Sequence, residues 1–413
     1  MDRYLEHKSS GVLWIGNIPA HWEIKQLRSF LTLFSEKGHG DAQLLSVTRE
    51  QGVIERNKDN KEENHNFVPD DLSGYKYIEK GDFAINKMKA WQGSYAVSDY
   101  NGIVSPAYFT CKLHGVNKDF FSRAIRSKAY VPFFTQYSKG IRVDQWDLNP
   151  NALKTIPFFL PPLSEQEQIV SYLDDKTSKI DTYIAEKEKE LNLYKQLIEA
   201  NIYSKNSNDV VTFTSWESFF DNSWNTRTGK GLFEEVDIKG INSERFLAVT
   251  QDKGLIYKDE EGVNFVTAEK KETQKLVCPG QFVISLRSFE GGIEYSTLKG
   301  LVSPAYVILK LKKEYDTEEL QMYFKFLFKS EPFVSRLNSI SDSMRDGKSI
   351  KFADIKRFPF PIPSDEKLKH IFKLSRIYDV KKDALCKEKI LINQYKQRLI
   401  SDSVTGQIIV QII

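Results

Sequence analysis

The 413-residue chain has few cysteines and no long apolar run. Its three cysteines (Cys111, Cys278 and Cys386) are too few and too far apart for a disulfide framework or a zinc site. No apolar stretch is long enough to span a bilayer, and no hydrophobic segment of the kind found in signal peptides follows the first residues. From these absences we expect a cytoplasmic protein.

The sequence also lacks the motifs of common enzymes. Residues 346–349 read DGKS, but position 342 is Asp where a phosphate loop requires glycine. No GxGxxG follows a predicted strand, no GxSxG elbow occurs, and the six histidines have no paired metal-ligand spacing. The segment Asn149-Pro150-Asn151 is not the Asn-Pro-Pro-aromatic tetrapeptide of DNA amino-methyltransferases. Together these absences favour a binding protein over an enzyme.

The composition suits large folded domains. Aromatic residues make up 13% of the chain, which is ample for hydrophobic cores, and the length predicts two or three domains. The 59 basic and 56 acidic residues give a net charge of +3, which neither predicts nor excludes a nucleic-acid partner. The distribution of charge along the chain is therefore more informative than its sum.

What the sequence does contain is a repeat with an offset of about 200 residues. Residues 44–54 read LLSVTREQGVI, and residues 246–256 read FLAVTQDKGLI. The other matched segments follow in the same order: 81–85 with 280–284, 103–108 with 301–306, 153–161 with 355–363, and 194–196 with 395–397. Five matches at a nearly constant offset predict a tandem duplication of one large unit.

Each copy consists of a globular segment, a proline-marked boundary and a charged segment that is typical of one long helix. Short β-branched or aromatic runs between turn signals predict strands, and residues 120–134 and 320–333 have helix-like apolar spacing. The predicted fold class is α/β or α+β globular domains in tandem duplication, each followed by a long helix. The predicted globular domains are 1–156 and 206–358, and the predicted helical segments are 157–205 and 359–413.

The long helices are expected at 164–203 and 364–403, where apolar residues alternate at spacings of four and three, as in a coiled coil. The first has nine acidic residues against five lysines, and the second has ten basic against six acidic residues. These opposite charges favour pairing with each other, and a pseudo-two-fold axis favours an antiparallel pair. The predicted helix-pairing residues are Leu173, Ile180, Ile184, Lys187, Leu191, Tyr194, Ile198, Leu374, Leu385, Glu388, Ile392, Tyr395 and Leu399. Of these, Lys187 and Glu388 are expected to pair near mid-helix.

These landmarks resemble the specificity subunit of type I restriction-modification enzymes. The resemblance is carried by WIGNIPAHW at 14–22, VSPAY at 104–108 and 302–306, LPPLSEQEQ at 160–168, and LISDSVTG at 399–406. These motifs extend over the whole chain and follow the order typical of the family. The second boundary departs from the pattern, because SDEKLK at 364–369 lacks the Pro-Leu-x-Glu-Gln-Glu sequence of the first.

The resemblance implies a non-catalytic subunit of a larger complex. In this family each globular domain is a target recognition domain that reads one half of a bipartite double-stranded DNA site. The paired helices act as a spacer and dock two modification (methyltransferase) subunits, which restriction/translocase subunits join in the full complex. The chain itself would need no cofactor or metal, because S-adenosylmethionine, ATP and Mg²⁺ would belong to the partner subunits.

Base reading requires Arg, Lys, Asn or Gln on exposed loops, since these side chains match the edges of bases in the major groove. Glycine-flanked polar loops that differ between the two copies supply the candidates. They are Lys87, Lys89, Gln92, Arg142 and Gln145 in the first copy, and Arg287, Ser288, Arg345 and Lys348 in the second. Trp91 and Trp146 could also contact DNA, although packing in the core is the simpler interpretation of both.

Three alternatives stay open at this point. The chain could be the recognition subunit of another type of restriction system, with the same fold and fewer partners. It could be a two-headed coiled-coil scaffold whose globular domains bind proteins, and whose binding would lack the steep salt dependence of DNA contacts. A standalone nuclease or methyltransferase is the third alternative, which the missing cofactor motifs disfavour.

Overall fold

The computed structural model describes residues 4–57, 68–140, 146–203, 216–239, 243–251, 253–259, 271–286, 288–341 and 350–410. The chain divides into two compact units. The first unit contains Met1–Ala185 together with Lys387–Ile413, and the second contains Glu186–Cys386. Each unit therefore includes one globular domain and a part of each long helix.

The first unit is a mixed α/β structure. Its strands are β1 (His7–Ser9), β2 (Asn17–Pro19), β3 (Glu23–Gln26), β4 (Leu31–Phe34), β5 (Leu45–Thr48), β6 (Gly52–Glu55), β7 (Lys76–Ile78), β8 (Phe83–Asn86), β9 (Tyr95–Val97), β10 (Gly102–Val104), β11 (Tyr108–Leu113), β12 (Ser138–Lys139), β13 (Asp147–Leu148) and β14 (Pro157–Leu160). Its helices are α1 (Lys118–Arg126), α2 (Val131–Tyr137), α3 (Pro150–Thr155) and the first part of α4 (Leu163–Ile202).

A four-stranded antiparallel sheet in the order β4-β11-β8-β9 forms the centre of this unit. Successive side chains of a strand point to opposite faces, and β8 shows this clearly. Phe83 and Ile85 enter the main core with the helices, whereas Ala84 enters a smaller cluster with the β5–β6 hairpin. The sheet is therefore covered on both faces, which explains why all four residues of β8 are buried.

The second unit has the same kinds of element. Its strands are β15 (Asn225–Thr228), β16 (Phe233–Val236), β17 (Leu247–Thr250), β18 (Gly254–Tyr257), β19 (Lys275–Val277), β20 (Phe282–Ile284), β21 (Glu294–Tyr295), β22 (Gly300–Val302), β23 (Val307–Leu311) and β24 (Pro359–Ile362). Its helices are the rest of α4, α5 (Gly229–Leu232), α6 (Ser288–Gly291), α7 (Glu318–Leu327), α8 (Glu331–Ser341), α9 (Phe352–Lys356) and the first part of α10 (Asp365–Val404).

The strand pairings of the second unit correspond to those of the first. The sheet order β16-β23-β20-β21 matches β4-β11-β8-β9, and the pairs β17-β18, β19-β22 and β15-β24 match β5-β6, β7-β10 and β3-β14. Alternation along the central strand is also the same, because Phe282 and Ile284 lie in the main core and Val283 lies in the smaller cluster. The two globular domains thus share one topology.

The two long helices begin within one residue of their predicted positions. Helix α4 starts directly after Pro161 and Pro162, and α10 starts two residues after Pro363. Proline stops a preceding strand and is tolerated before the first turn of a helix, so each boundary is defined by local chemistry. Neither helix contains an internal proline or glycine, which allows both to run for 40 residues.

The shorter helical segments differ from the prediction. The apolar spacing over residues 120–134 corresponds to two helices, α1 and α2, and that over 320–333 corresponds to α7 and α8. In each case a proline, Pro132 or Pro332, occupies the first turn of the second helix. A proline disfavours helical backbone for the residue that precedes it. The first helix therefore ends and a second begins, although the apolar spacing continues.

Candidate nucleic-acid interface and helix faces

The loop between β8 and β9 carries three of the predicted DNA-binding residues. Lys87, Lys89 and Gln92 lie on it, with a short 3-10 turn at Ala90–Gln92. Gly93 ends the turn with a φ of +97°, a left-handed conformation that favours glycine. Lys89 is exposed, while Lys87 and Gln92 are half-buried.

Several contacts join this loop to the rest of the first unit. The Lys87 carbonyl accepts a hydrogen bond of 3.0 Å from the Leu148 amide, and the Lys87 ammonium lies 2.9 Å from Asp147 Oδ2. The Thr135 hydroxyl donates to the Trp91 carbonyl at 3.0 Å. The rings of Trp91 and Trp146 pack edge to face, with centroids 5.5 Å apart. These two tryptophans pack against each other and are half-buried, so whether they contact DNA stays open.

The corresponding loop of the second unit places Ser288 differently from its prediction. Its side chain is 1% exposed, and its Oγ accepts a hydrogen bond of 2.8 Å from the Ser285 amide. This hydroxyl therefore supports the start of α6 from inside the domain, so it is not an exposed reader of bases. The other candidates (Arg142, Gln145, Arg287, Arg345 and Lys348) lie outside the described residues.

Each unit also has a cation that holds the tip of a hairpin, a feature that the sequence prediction missed. In the first unit Arg126 donates to the carbonyls of Arg49 and Glu50, at 3.1 and 2.9 Å. In the second, Lys329 donates to the carbonyl of Gln251 at 3.1 Å. The repeated TREQG and TQDKG segments were the available signal, since a matched turn in both copies indicates a matched support.

A cavity of about 430 Å³ lies beside the hairpin tip of the second unit. It is lined by Val249, Thr250 and Gln251 of the hairpin, by Ser285, Leu286 and Gly292 of the β20–β21 loop, and by Glu294 and Tyr306. The Glu294 carboxylate is buried and pairs with the Lys329 ammonium. The hairpin and the β20–β21 loop thus line one cavity beside the Glu294–Lys329 ion pair.

The predicted helix-pairing residues are buried or half-buried with one exception. Leu173, Ile198, Leu374, Leu385 and Leu399 are buried, whereas Ile180, Ile184, Lys187, Leu191, Tyr194, Glu388 and Ile392 are half-buried. Tyr395 is exposed. Lys187 Nζ lies 3.4 Å from Glu190 Oε2 on its own helix, and Glu388 accepts a hydrogen bond of 2.7 Å from the Tyr183 hydroxyl. Their mutual pairing stays a prediction.

Polar contacts between α4 and α10 occur inside both units. In the first, Asp181 pairs with Lys396 at 2.8 Å, and Tyr183 donates to Glu388. In the second, Glu190 pairs with Lys381 at 2.6 Å, and Asn201 accepts from Lys367 at 2.7 Å. In each unit, residues later in α4 contact residues earlier in α10.

Several large apolar side chains of the two helices are exposed. In the second unit they are Leu193, Leu197 and Val380, and in the first they are Tyr183, Ile390 and Leu391. Leu193 and Leu197 are four residues apart, so they lie on one face of α4. Exposed apolar side chains grouped on a helix face are typical of protein-binding surfaces.

The described residues contain neither a cluster of metal ligands nor a membrane-spanning helix. No group of three or more His, Cys, Asp or Glu side chains among them is arranged to hold a metal ion. Across the same residues, every helix is too short or too polar to cross a membrane. The loops and helix faces above are therefore the features that can be compared with known proteins.

No protein-family model matches the sequence. The chain is 22% identical over 432 aligned positions to the putative type I restriction enzyme MjaX specificity subunit of Methanocaldococcus jannaschii, with 95% of both chains covered. It is also similar to a chain from a structural study of complex assembly and conformational transition in the type I R-M system. That match has a TM-score of 0.57 and 14% identity, and covers 95% of this chain and 99% of the other.

A further match is the HsdS subunit from Thermoanaerobacter tengcongensis, with 16% identity, 95% and 98% coverage and a TM-score of 0.41. The TM-score of 0.57 shows that this chain shares the fold of the type I system chain over nearly its full length. The resemblance to type I specificity subunits that the sequence motifs indicate is thus confirmed by a full-length relative.

Proposed function

We propose that this chain is the DNA sequence-recognition subunit of a type I restriction-modification complex. The observation that carries the proposal is the full-length similarity, since a relative described as a specificity subunit and a fold match from a type I system both cover 95% of this chain. Similarity confined to one globular domain would have supported only a shared domain. Similarity through both domains and both helices supports a shared arrangement of functions.

In this proposal the two globular domains arose by tandem duplication, and each reads one half of a bipartite DNA site. Their common strand order supports duplication. The loops differ where the strands agree, because NKMKAWQGS at 86–94 corresponds to SLRSFEGGI at 285–293. Two readers of different half-sites need a rigid common scaffold with divergent surface loops.

The long helices would pair as an antiparallel coiled coil with pseudo-two-fold symmetry, and would set the distance between the half-sites. The ion pairs Asp181–Lys396 and Glu190–Lys381 support the pairing of the two helices, since both join an acidic residue of α4 to a lysine of α10. This is the charge pattern expected from the opposite net charges of the two segments. A coiled coil of fixed length is a suitable spacer because α-helices rise by about 1.5 Å per residue.

Two methyltransferase subunits would dock on the helices, and restriction subunits would join the full complex. The exposed apolar residues Leu193, Leu197 and Val380 support a protein partner on α4 and α10. We propose that the chain is itself non-catalytic and needs no cofactor. S-adenosylmethionine, ATP and Mg²⁺ would bind to the partner subunits.

Co-expression with methyltransferase subunits from the same operon, followed by affinity purification and mass measurement, tests this function. We expect one copy of the chain with two methyltransferase subunits. A double variant, Leu193→Lys with Leu197→Lys, should weaken recruitment without unfolding the chain, because both side chains are already exposed. Leu13→Lys is the matched control, since Leu13 is almost fully exposed and belongs to the connection between β1 and β2 instead of a long helix.

The purified assembly should bind a specific duplex, with an affinity that falls steeply as salt is added. Release of counterions from phosphates produces this dependence. If the purified chain recruits no methyltransferase and does not bind DNA at low salt, the proposal is contradicted. In that case the two-headed protein-binding scaffold becomes the better explanation.

A further inference from the structure

One carboxylate in the first turn of α4 joins that helix to the beginning of the chain. Oε1 of Glu165 accepts hydrogen bonds from the Tyr4 hydroxyl and from the Trp22 indole nitrogen, the latter at 3.0 Å. Oε2 lies 2.7 Å from His21 Nε2. All three partners belong to the first 22 residues, more than 140 positions away in the sequence.

The surroundings of Glu165 make these contacts strong. Its side chain is only 15% exposed, and hydrogen bonds to an ionised carboxylate are roughly twice as strong as neutral ones. The Tyr4 ring packs near His21 and Trp22, with centroids 5.6 and 6.3 Å apart. Burial, followed by the hydrogen bond to Glu165, raises the pKa of the Tyr4 hydroxyl well above its ordinary value. This hydroxyl therefore remains a donor at neutral pH.

The next residue of the helix holds a second part of the same domain. The Gln166 amide donates to the Pro161 carbonyl at 2.9 Å, and its Oε1 accepts from the Asn117 backbone amide at 2.9 Å. Asn117 is also the N-cap of α1. The start of α4 is thus attached to the N-terminal segment through Glu165 and to the body of the domain through Gln166.

The second copy has different chemistry at the same positions. An offset of 202 residues places Lys367 opposite Glu165 and Leu368 opposite Gln166. The Lys367 ammonium donates to Asn201 Oδ1 at 2.7 Å, so this residue joins α10 to α4. At these equivalent positions, Lys367 thus joins helix to helix, whereas Glu165 joins helix to globular domain.

We infer that Glu165 is a positioning residue that fixes the direction in which α4 leaves the first recognition domain. This inference rests on the proposed function, because it assumes that the direction of α4 helps to set the distance between the two DNA half-sites that the chain can bind. A helix of 40 residues is about 60 Å long, so a change of about 10° at its start moves its far end by about 10 Å. Such a shift corresponds to about three base pairs of B-DNA.

The test measures binding against spacer length, using the intact chain assembled with its methyltransferase subunits. The bipartite site is first identified from the positions that the assembly methylates. Duplexes then carry both half-sites with the spacer lengthened or shortened one base pair at a time. Wild type should prefer one spacer sharply. In Glu165→Ala the preference over neighbouring spacers should fall by about tenfold or more, since the variant loses three contacts and the loss of one charge-assisted hydrogen bond already corresponds to about that factor.

Two further variants keep the test informative if Glu165→Ala fails to fold. Tyr4→Phe and His21→Ala each remove a single partner of Glu165, and His21 is half exposed. Both should broaden the spacer profile to a smaller extent. Glu167→Ala is the matched control, because Glu167 is an exposed glutamate in the same turn of α4, and it should leave the profile sharp.

The outcomes are distinguishable. A profile that stays sharp in Glu165→Ala and in both single-partner variants overturns the positioning role, while the proposed function stands. An equal loss of affinity at every spacer length also overturns it, since that pattern indicates a purely structural residue. An assembly whose wild-type form binds no bipartite site contradicts the proposed function itself, and the inference with it.

Discussion

The Lys381 ammonium lies 2.6 Å from Glu190 Oε1, which makes an ion pair between α10 and α4 within the second unit. The same ammonium lies 5.2 Å from the centre of the Tyr194 ring, at cation–π distance. Hydrogen bonding to Lys381, followed by that to Lys187, lowers the pKa of the Glu190 carboxyl. Lys381 of α10 therefore contacts both an oppositely charged residue of α4, Glu190, and an aromatic residue from the predicted helix-pairing set, Tyr194.

The first prediction concerns this pair. Lys381→Glu should lower the midpoint of thermal unfolding because it places two carboxylates together, and Glu190→Lys should do the same. The double variant, which restores opposite charges, should recover most of the loss. Lys382→Glu changes the charge of the neighbouring position and serves as the control. If Lys381→Glu, Glu190→Lys and Lys382→Glu all lower the unfolding midpoint equally, the effect comes from the change in net charge, and the ion pair makes no measurable contribution to stability.

The same pair should contribute to stability only above acid pH. A carboxyl whose pKa is lowered on folding stabilises the protein above its unfolded pKa, here 4.5, and that contribution disappears as the pH falls through the lowered folded pKa. The difference in unfolding midpoint between wild type and Glu190→Gln should thus be present at neutral pH and absent in strong acid. Calorimetric scans at a series of pH values measure it. A difference that persists at all pH values would indicate a packing effect.

Two equivalent phenylalanines should control the stability of the two units separately. Phe158 and Phe360 are fully buried, and each contacts several other aromatic rings. Replacing either with alanine should cost about 3–5 kcal/mol, the usual range for a buried phenylalanine. Urea unfolding followed by hydrogen exchange should place the Phe158→Ala effect in the first unit and the Phe360→Ala effect in the second. The exposed Leu193→Ala is the control, and the result expected for it is no change.

A pair of glycines separates backbone strain from steric overlap. Gly406 and Gly16 have nearly the same positive φ, +68° and +72°. A Cβ on Gly406 would lie 2.2 Å from Pro19 Cδ, whereas one on Gly16 would meet nothing within 4 Å. Gly16→Ala should therefore cost about 1 kcal/mol for the left-handed backbone. Gly406→Ala should cost a further 1–3 kcal/mol or so for overpacking, as measured by denaturant unfolding. Equal costs would mean that the chain termini do not pack together in solution.

Much of the fold could be predicted because its signals are local. Prolines define the starts of both long helices, and β-branched runs between turn residues define strands such as β8 and β11. The division of 120–134 into two helices also has a local signal in Pro132, but the apolar spacing continues through this proline and favours a single helix.

Contacts between residues distant in sequence could not be predicted in the same way. No periodicity relates Arg126 to the carbonyl of Arg49, or Glu165 to Tyr4. Ser288 shows the related difficulty at the candidate interface. A serine in a polar, glycine-rich loop has the sequence character of an exposed residue, but its hydroxyl satisfies a backbone amide inside the domain.

Two of the three cysteines, Cys111 and Cys386, should react at different rates with iodoacetamide. Burial raises the pKa of the Cys111 thiol to about 12, whereas Cys386 is exposed on α10. Since the thiolate is the reactive form, Cys386 should be modified quickly at slightly alkaline pH and Cys111 only on unfolding. Mass spectrometry of digested samples taken over time measures both rates, and Cys386→Ser identifies the fast phase. Rapid modification of Cys111 in native protein would contradict the buried position of β11.

The last prediction separates the two lysines of the β8–β9 loop. Lys87 is neutralised by Asp147 at 2.9 Å, whereas Lys89 is exposed and lies three residues before Gln92. If this loop contacts phosphates, Lys89→Ala should weaken binding to all duplexes and reduce the slope of log affinity against log salt by about 0.9. Lys87→Ala should have a smaller effect because its charge is already paired. Gln92→Ala should relax preference at one base pair by about 1–3 kcal/mol, if its amide reads a base edge.

The control for these loop variants is Lys179→Ala, since Lys179 lies on α4 and pairs with Asp175 four residues earlier. Its salt slope should equal that of wild type. If the salt slopes of Lys89→Ala and Lys179→Ala are equal, the β8–β9 loop is not part of the DNA interface. The hairpin tip held by Arg126 would then be the better candidate in the first unit, because it presents exposed Arg49 at a position that is structurally matched in the second. Because salt dependence counts phosphate contacts directly, it distinguishes these two surfaces even before the target sequence is known.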